Sequence, residues 1–269
     1  MKKTCAVLAI VYLLGLTLPG FCATSNFSAS KKTAPIEPAD KTLTLGEKLE
    51  YEVYWMGFHV GLGTLEVREK VIRDGREALH LVAIARTNDF LTKIYPVHDE
   101  IHSFVDAKTY HSLEFRKTLS EGRYRADERM VYDYAKKKLY YESLKNGSKK
   151  ELDLPGPVQD FLSAFFWFRL QDIQVGEAAK TVVNGEEKNW DLKVHCLRRE
   201  TKELRGNQIY DTFVVEPKTE LKGALYNRGR AWVHFTADHR RLPVLFTIKT
   251  PFGPVVGVLK STSGLTPLS

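Results

Sequence analysis

Apolar and polar residues alternate along most of the chain from Leu43 onward. In the first clear example, Leu49, Tyr51, Val53 and Trp55 occupy every second position and polar or aromatic residues fill the positions between them. A period of two predicts a β-strand with one buried face. Similar segments recur as far as about residue 259, so strands are predicted along nearly the whole chain.

Short turn sequences separate the alternating segments. Asp74-Gly75, Asn146-Gly147 and Asn184-Gly185 are typical of tight β-hairpins. The alternation changes parity across Gly61 and Gly63, which predicts a β-bulge there. The chain shows neither βαβ spacing nor a glycine-rich phosphate loop. We therefore predict an all-β, mostly antiparallel fold, either a strongly curved sheet or an open barrel.

Two segments have helical rather than strand spacing. Residues 88–95 begin with an N-cap type residue and carry Phe90, Leu91 and Ile94 at helical intervals. Residues 158–171 form the stronger pattern, with apolar residues beyond a single stripe. The apolar positions of this second segment are Val158, Phe161, Leu162, Phe165, Phe166, Trp167 and Phe168. We predict one or two helices on the concave face of the sheet, the second either plugging that face or acting as a lid over an apolar ligand.

The N-terminal residues have the plan of a secretory signal peptide. Lys2 and Lys3 precede an apolar run that is shorter than the ~20 residues of a membrane span. Cleavage is predicted after Ala23 or after Cys22, and the alternatives are lipid attachment at Cys22 and an uncleaved membrane anchor. We divide the chain into a signal peptide (1–23), a polar tether (24–42), a single β-rich domain (43–262) and a tail (263–269).

Composition and charge fit an exported soluble protein. The 269 residues are 43% apolar and 27% charged, with three cysteines and a net charge of +7. Cys5 leaves with the signal, and Cys196 lies on the apolar face of a predicted strand, which indicates a buried structural thiol. Export and the absence of a nucleic-acid motif exclude a nucleic-acid role. The excess of basic residues favours an anionic membrane surface, an envelope ligand or an envelope protein as partner.

A series of short motifs resembles one known family. The motifs are Gly46-Glu47-Lys48-Leu49-Glu50-Tyr51-Glu52-Val53, Arg86-Thr87-Asn88-Asp89-Phe90, Tyr95-Pro96-Val97-His98-Asp99, Ser103-Phe104-Val105-Asp106, Glu121-Gly122-Arg123-Tyr124-Arg125, Val158-Gln159-Asp160-Phe161-Leu162-Ser163 and Asp238-His239-Arg240-Arg241-Leu242-Pro243. Together they resemble the DUF3108 family of exported bacterial proteins of unknown function. The resemblance spans about residues 43–260 and implies export and a β-rich fold, without any established reaction. The architecture also resembles the half-barrel lipoprotein carriers of the periplasm.

The residues around position 100 are the main candidates for site chemistry. His98, Glu100 and His102 share one strand face, a spacing that could hold a metal ion. An exposed polar face is the favoured explanation, and we predict no metal and no cofactor. Asp99 lies on the opposite face of this strand, which is apolar, so its carboxylate needs a charged partner. We predict a structural ion pair with Arg86, and the alternative partners are Arg123, Arg125 and Arg129.

No catalytic constellation stands out. Ser163 lies outside a Gly-x-Ser-x-Gly elbow, and no cysteine–histidine nucleophile pair is evident. We therefore expect no enzymatic activity.

The surplus aromatic residues carry the functional prediction, which is a periplasmic protein that binds a hydrophobic or amphipathic envelope component. The predicted ligand lining is Trp55, Phe161, Phe165, Phe166 and Trp167, with Arg123 and Arg125 for an anionic head group. The first alternative is an envelope-assembly scaffold or protein–protein module. The second is a glycan-binding or polysaccharide-processing protein whose exposed tyrosines, Tyr132, Tyr134, Tyr140 and Tyr141, stack on sugar rings.

Overall fold

The computed structural model describes residues 42–185, 188–221, 224–225 and 230–265 of the 269-residue chain. The predicted signal peptide, nearly all of the tether and the last four residues lie outside this part. No helix within it is long and apolar enough to cross a membrane.

Strands make up most of the described chain. They are β1 (Lys48–Trp55), β2 (Phe58–Arg73), β3 (Arg76–Thr87), β4 (His98–Asp106), β5 (Ser112–Glu121), β6 (Tyr124–Asp133), β7 (Lys138–Ser143), β8 (Lys149–Asp153), β9 (Ala178–Gly185), β10 (Lys188–Leu204), β11 (Gln208–Leu221), β12 (Ala224–Leu225), β13 (Arg230–Thr236), β14 (Pro243–Thr250) and β15 (Gly253–Ser263). The helices are α1 (Asp89–Thr92), α2 (Phe161–Arg169) and a 3₁₀ turn at Arg205–Asn207.

The described strands form one antiparallel sheet. Its order is β8-β7-β6-β5-β4-β3-β2-β1-β15-β14-β13-β11-β10-β9, and β12 pairs with β11. The sheet is not closed, because β8 and β9 are its outer strands. A single parallel bridge between Gln159 and Val183 links β9 to the segment after β8. The prediction of a mostly antiparallel, open and barrel-like β fold is confirmed.

The long β10–β11 ribbon shows how strongly the molecule curves. Its tip returns to β1, where Arg205 Nη1 donates a hydrogen bond to Glu52 Oε2 at 2.9 Å. The same guanidinium lies 4.9 Å from the centre of the Tyr54 ring. Strands that are distant in the sheet order are thus brought together by side chains.

All three predicted hairpins join paired antiparallel strands, but the third connection comes after Asn184-Gly185 instead of containing it. Asp74 and Gly75 both have positive φ (48° and 73°), as a two-residue primed turn requires. Asn184 and Gly185, in contrast, are the last residues of β9. Asn184 is buried, and its side-chain amide donates to the Lys188 carbonyl and to Asn189 Oδ1. The Asn-Gly pair is therefore used for its side chain rather than for a turn.

Two apolar cores lie under the concave face, one on each side of α2. The first core lies under β1, β9–β11 and β13–β15 and receives Trp167 and Phe168 from the helix. The second core lies under β3–β7 and receives Leu162 and Phe166. Because α2 contributes side chains to both cores, it packs against both halves of the sheet.

Candidate functional site

Half-buried aromatic side chains pack against the first core on the concave face. Trp55 on β1 and Phe161 and Phe165 on α2 pack against the first core while part of each side chain stays accessible. The Phe165 ring centroid lies 5.5 Å from that of Phe235. The structure thus brings together Phe161 and Phe165, whereas Trp55 lies at the other end of β1, where its Nε1 donates to the Phe252 carbonyl at 3.0 Å.

The other two predicted aromatic residues have a different role. Phe166 and Trp167 are 1% and 8% exposed, and they belong to the second and the first core, respectively. They fix α2 in place and offer little surface to a ligand. Leu91 and Tyr95, which we did not predict, are half-buried against the first core. The sequence signal that could have identified these two residues is their position before Pro96, where the chain turns back into β4.

A buried cluster of one carboxyl group and three serines fixes the N-terminus of α2. Asp160 Oδ2 accepts hydrogen bonds from Ser103 Oγ (2.6 Å) and Ser112 Oγ (2.7 Å), and Oδ1 accepts one from the Ser163 amide (2.8 Å). Ser163 Oγ accepts from the Asp160 amide, which closes a capping box. Burial raises the pKa of Asp160, and these hydrogen bonds oppose the shift. Ser163 therefore has a structural role at the N-terminus of the helix.

A buried ion pair fixes the other end of the helix. Arg169 Nη2 donates to Glu47 Oε2 at 2.8 Å and to the Arg240 carbonyl at 3.1 Å. Both charged side chains are almost completely buried. Moving α2 as a lid would expose or separate this pair at high cost. The arrangement therefore favours a plug over a lid.

The two arginines predicted to bind an anionic head group lie elsewhere. Arg123 and Arg125 are exposed at the β5–β6 connection, and Arg125 Nη1 donates to the carbonyls of Gly122 and Tyr124. The serine cluster of α2 contacts Ser112 at the opposite end of β5, about 30 Å away along the strand. The structure does not bring these arginines to the aromatic residues of α2.

Asp99 is buried as predicted, but its partner is another acid. Arg86 is exposed on the outer face of β3, whereas Asp99 faces the interior, so the predicted ion pair is wrong. Burial raises the pKa of Asp99. Burial and the neighbouring Asp99 raise the pKa of Glu121 to about 8. Protonation of one of the two carboxyl groups relieves their repulsion.

This carboxyl pair has one cation close by. Lys117 is buried on the same interior face and pairs with Glu128 at 2.9 Å. Asp99 Oδ1 also accepts a hydrogen bond from the Ser120 amide at 2.9 Å. The result is a compact, buried polar cluster between β4 and β5.

The predicted histidine face lies on the outer side of the sheet. His98 and His102 flank Glu100 there, with His98 Nε2 3.0 Å and His102 Nε2 3.5 Å from its two carboxylate oxygens. His80 Nε2 lies 3.0 Å from His102 Nδ1. Burial lowers the pKa of both His80 and His102. No group of three or more metal-ligating side chains is found in the part of the chain that the structure describes.

The tyrosines proposed to stack on sugars are not exposed. Tyr132 is buried, and the Tyr134 hydroxyl donates to the Ser112 carbonyl at 2.7 Å. Tyr140 and Tyr141 are partly covered. A sugar platform built on these four residues is therefore wrong.

Comparisons with known proteins agree with the fold. The family model described as "Protein of unknown function (DUF3108)" matches residues 50–260. No curated protein sequence matches the chain. The chain is similar to a solved β-barrel-like protein of the domain of unknown function DUF1849 from Brucella abortus, with 11% identity, a TM-score of 0.53 and coverage of 83% of this chain and 98% of that chain. A protein with a YmcC-like fold from Bacteroides fragilis has 10% identity, a TM-score of 0.31 and coverage of 85% and 100%.

Proposed function

Because the chain belongs to the DUF3108 family of proteins of unknown function, we propose its role from its own residues. The protein is a non-enzymatic periplasmic protein that binds a hydrophobic or amphipathic component of the cell envelope. The observation that carries this proposal is the half-buried aromatic surface formed by Phe161 and Phe165 of α2 on the concave face. Aromatic surface that stays partly open inside a concave fold is typical of sites for apolar ligands.

The rigidity of α2 supports a preformed site. Both ends of the helix are held by buried polar groups, the Asp160 cluster and the Arg169–Glu47 pair. Phe161 and Phe165 are therefore presented in fixed positions, which lowers the entropy lost when a ligand binds. The signal peptide pattern at residues 1–23 supports export to the periplasm.

A protein–protein role through strand addition is the alternative. The outer strand β8 has the sequence Lys-Lys-Glu-Leu-Asp, and four of its five residues are charged. Charged edge strands discourage pairing with another chain. The composition of β8 therefore disfavours strand addition at this edge of the sheet.

Native mass spectrometry of protein purified from the periplasm of an expressing bacterium tests the proposal. We expect a stoichiometric amphiphile that is released by solvent extraction. The extracted protein should then take up N-phenyl-1-naphthylamine or added envelope phospholipid. A protein that carries no ligand and takes up neither compound contradicts the proposal.

Two substitutions locate the site. Phe165→Ala and Phe161→Ala should each weaken dye uptake about fivefold, because each removes part of the apolar contact surface. Ile72→Ala is the matched control, since Ile72 is exposed near the end of β2, just before the β2–β3 hairpin. Unchanged uptake in both folded aromatic variants would place the ligand elsewhere.

A further inference from the structure

Large apolar side chains are exposed on four neighbouring connections of the sheet. Met56 and Phe58 lie at the β1–β2 turn, Phe90 and Ile94 in and after α1, Tyr124 at the β5–β6 turn and Phe252 at the β14–β15 turn; we call these six residues the apolar rim. Their exposed fractions range from 46% to 75%. The strands concerned are consecutive in the sheet, from β6 to β14, and their antiparallel order puts these four connections at the same end.

Hydrogen bonds join the four connections into one surface. The Met56 amide donates to the Pro254 carbonyl at 3.0 Å, which links the β1–β2 and β14–β15 turns. Asn88 Nδ2 donates to the His59 carbonyl at 2.7 Å, which links α1 to β2. The Gly122 amide donates to the Pro96 carbonyl at 2.7 Å, which links the β5–β6 turn to the segment after α1. The rim is therefore continuous.

The local backbone makes the rim rigid. Met56 and Gly57 have φ of 49° and 89°, so the β1–β2 connection is a tight two-residue turn. Asn88 caps α1 by accepting a hydrogen bond from the Leu91 amide at 2.9 Å. The exposed aromatic residues are thus held outward by turns and a cap rather than left on long loops.

The charges around the rim have one predominant sign. Lys93, Arg123 and Arg125 are exposed on these connections, and Asp89 is the exposed acid among their described residues. Projecting apolar tips flanked by cations match the boundary between the head groups and acyl chains of an anionic bilayer. A protein partner would instead need a broad surface with matched hydrogen-bonding groups.

We propose that the apolar rim docks the protein on an anionic lipid bilayer. Phe58, Phe90 and Phe252 enter the head-group boundary, and Lys93 and Arg123 contact lipid phosphates. The rim is distinct from the aromatic surface beside α2, and the docking does not require that surface to hold a ligand.

Vesicle flotation of protein purified from the periplasm tests the proposal. We expect binding to vesicles of equal parts phosphatidylcholine and phosphatidylglycerol, weaker binding at high salt, and no binding to vesicles of phosphatidylcholine alone. The double variant Phe58→Ser with Phe90→Ser should bind at least about tenfold more weakly. The charge variant Lys93→Glu with Arg123→Glu should lose binding at low salt.

The matched control is Ile72→Ser with Ile209→Ser, since both residues are similarly exposed but lie outside the rim. We expect this control to bind vesicles like the unsubstituted protein. Failure of the unsubstituted protein to bind anionic vesicles, or an equal loss in the control, overturns the proposal. Dye uptake by the Phe58 and Phe90 double variant separates the two surfaces, because vesicle binding should fall while uptake stays unchanged.

Discussion

At the scale of single residues, buried acids and histidines tie the stability of the protein to pH in opposite directions. Glu121 is protonated in the folded protein up to a pH of about 8, because burial and Asp99 raise its pKa. An acid whose pKa is raised on folding adds stability at low pH, and this contribution is lost as the pH rises through the folded pKa. The window of loss therefore runs from about 4.5, the ordinary value, to about 8.

Substitution of Glu121 by glutamine should remove this dependence. The amide stays neutral, so the free energy of unfolding of Glu121→Gln should fall less between pH ~5 and ~8 than that of the unsubstituted protein. We expect a difference on the order of 1–2 kcal/mol across this range, after allowing for partial solvent screening. Urea denaturation at a series of pH values measures it. Glu203→Gln, at an exposed position, is the control, and equal slopes in all three proteins would contradict the assignment.

The outer-face histidines should act in the opposite sense. Burial lowers the pKa of His80 and His102, so the folded protein favours their neutral forms. Stability is then complete above the ordinary value of 6.5 and is lost as the pH falls below it. His80→Gln should therefore reduce the drop in the melting temperature between pH ~7 and ~5. The exposed His239→Gln serves as the control, and a drop of unchanged size in His80→Gln would rule out this contribution.

The sequence predicted which single residues are buried, but it did not predict which side chains they contact. The parity of Asp99 in β4 correctly predicted an interior carboxyl group. Its partner, Glu121, is the last residue of the neighbouring strand β5. In the same part of the β4–β5 pairing, Glu100 lies opposite Thr118. A period of two identifies the face of a residue but not the strand beside it, so an arginine was a reasonable but wrong choice.

At the scale of elements, α2 depends on its buried N-terminal cluster. Asp160 caps the helix and also holds Ser103 of β4 and Ser112 of β5, so it joins three elements at once. Removal of its carboxyl group would leave two serine hydroxyls and a helix amide without their acceptor.

Asp160→Ala should lower the free energy of unfolding by about 3 kcal/mol, and Asp160→Asn by less, because the amide retains one acceptor oxygen. Chemical denaturation followed by the fluorescence of Trp167, which lies on the same helix, reports the change. The control is Asp153→Ala, at the exposed last residue of β8. This substitution should lower the free energy of unfolding by under ~1 kcal/mol. A similar cost for both substitutions would show that the cluster is not what holds the helix.

The sequence predicted which elements form better than where they begin and end. Helix α2 starts three residues later than predicted because Asp160, not an earlier residue, is the cap. The bulge of β2 lies at Val60, between the partners of Val53 and Tyr54, rather than across Gly61 and Gly63. Gly61 has another role, since a Cβ there would lie 2.1 Å from the Arg86 carbonyl oxygen of β3. Such close approaches between strands are invisible in one sequence.

In α1 the apolar pattern was correct but its meaning was not. Phe90 and Ile94 have the spacing of one helical face, yet both are exposed. Of the apolar residues Phe90, Leu91 and Ile94, Leu91 alone packs on the first core. An amphipathic period shows that a side is apolar, but it does not show whether that side is covered by the protein itself.

At the scale of the whole molecule, stability should decrease toward the outer strand β8. This strand is five residues long, pairs on one side with β7 and is exposed at most positions. β1 lies between β2 and β15 with alternate residues fully buried. We expect backbone amides of β8 to exchange with deuterium at least ~100-fold faster than those of β1, because local opening at the edge requires little loss of packing. Equal protection of the two strands in hydrogen-exchange mass spectrometry would contradict this gradient.

The fold class followed from the alternation of apolar residues and from the short turns, because both are local signals. The strand order followed mostly from hairpins between neighbours in sequence. The exception is the pairing of β1 with β15, which no local pattern encodes.

That exception governs how the chain can fold. Glu50 pairs with Ser261, so the centre of the sheet is completed by residues from the two extremes of the domain. Hairpins on either side can form early, but they remain two separate half-sheets until the last strand is available. Contacts of such long sequence separation slow folding through the entropy of closing a long loop. A ribosome or an export channel that delivers the chain from its N-terminus would therefore release β15 after the other strands of the sheet, and the domain should stay open until β15 has emerged.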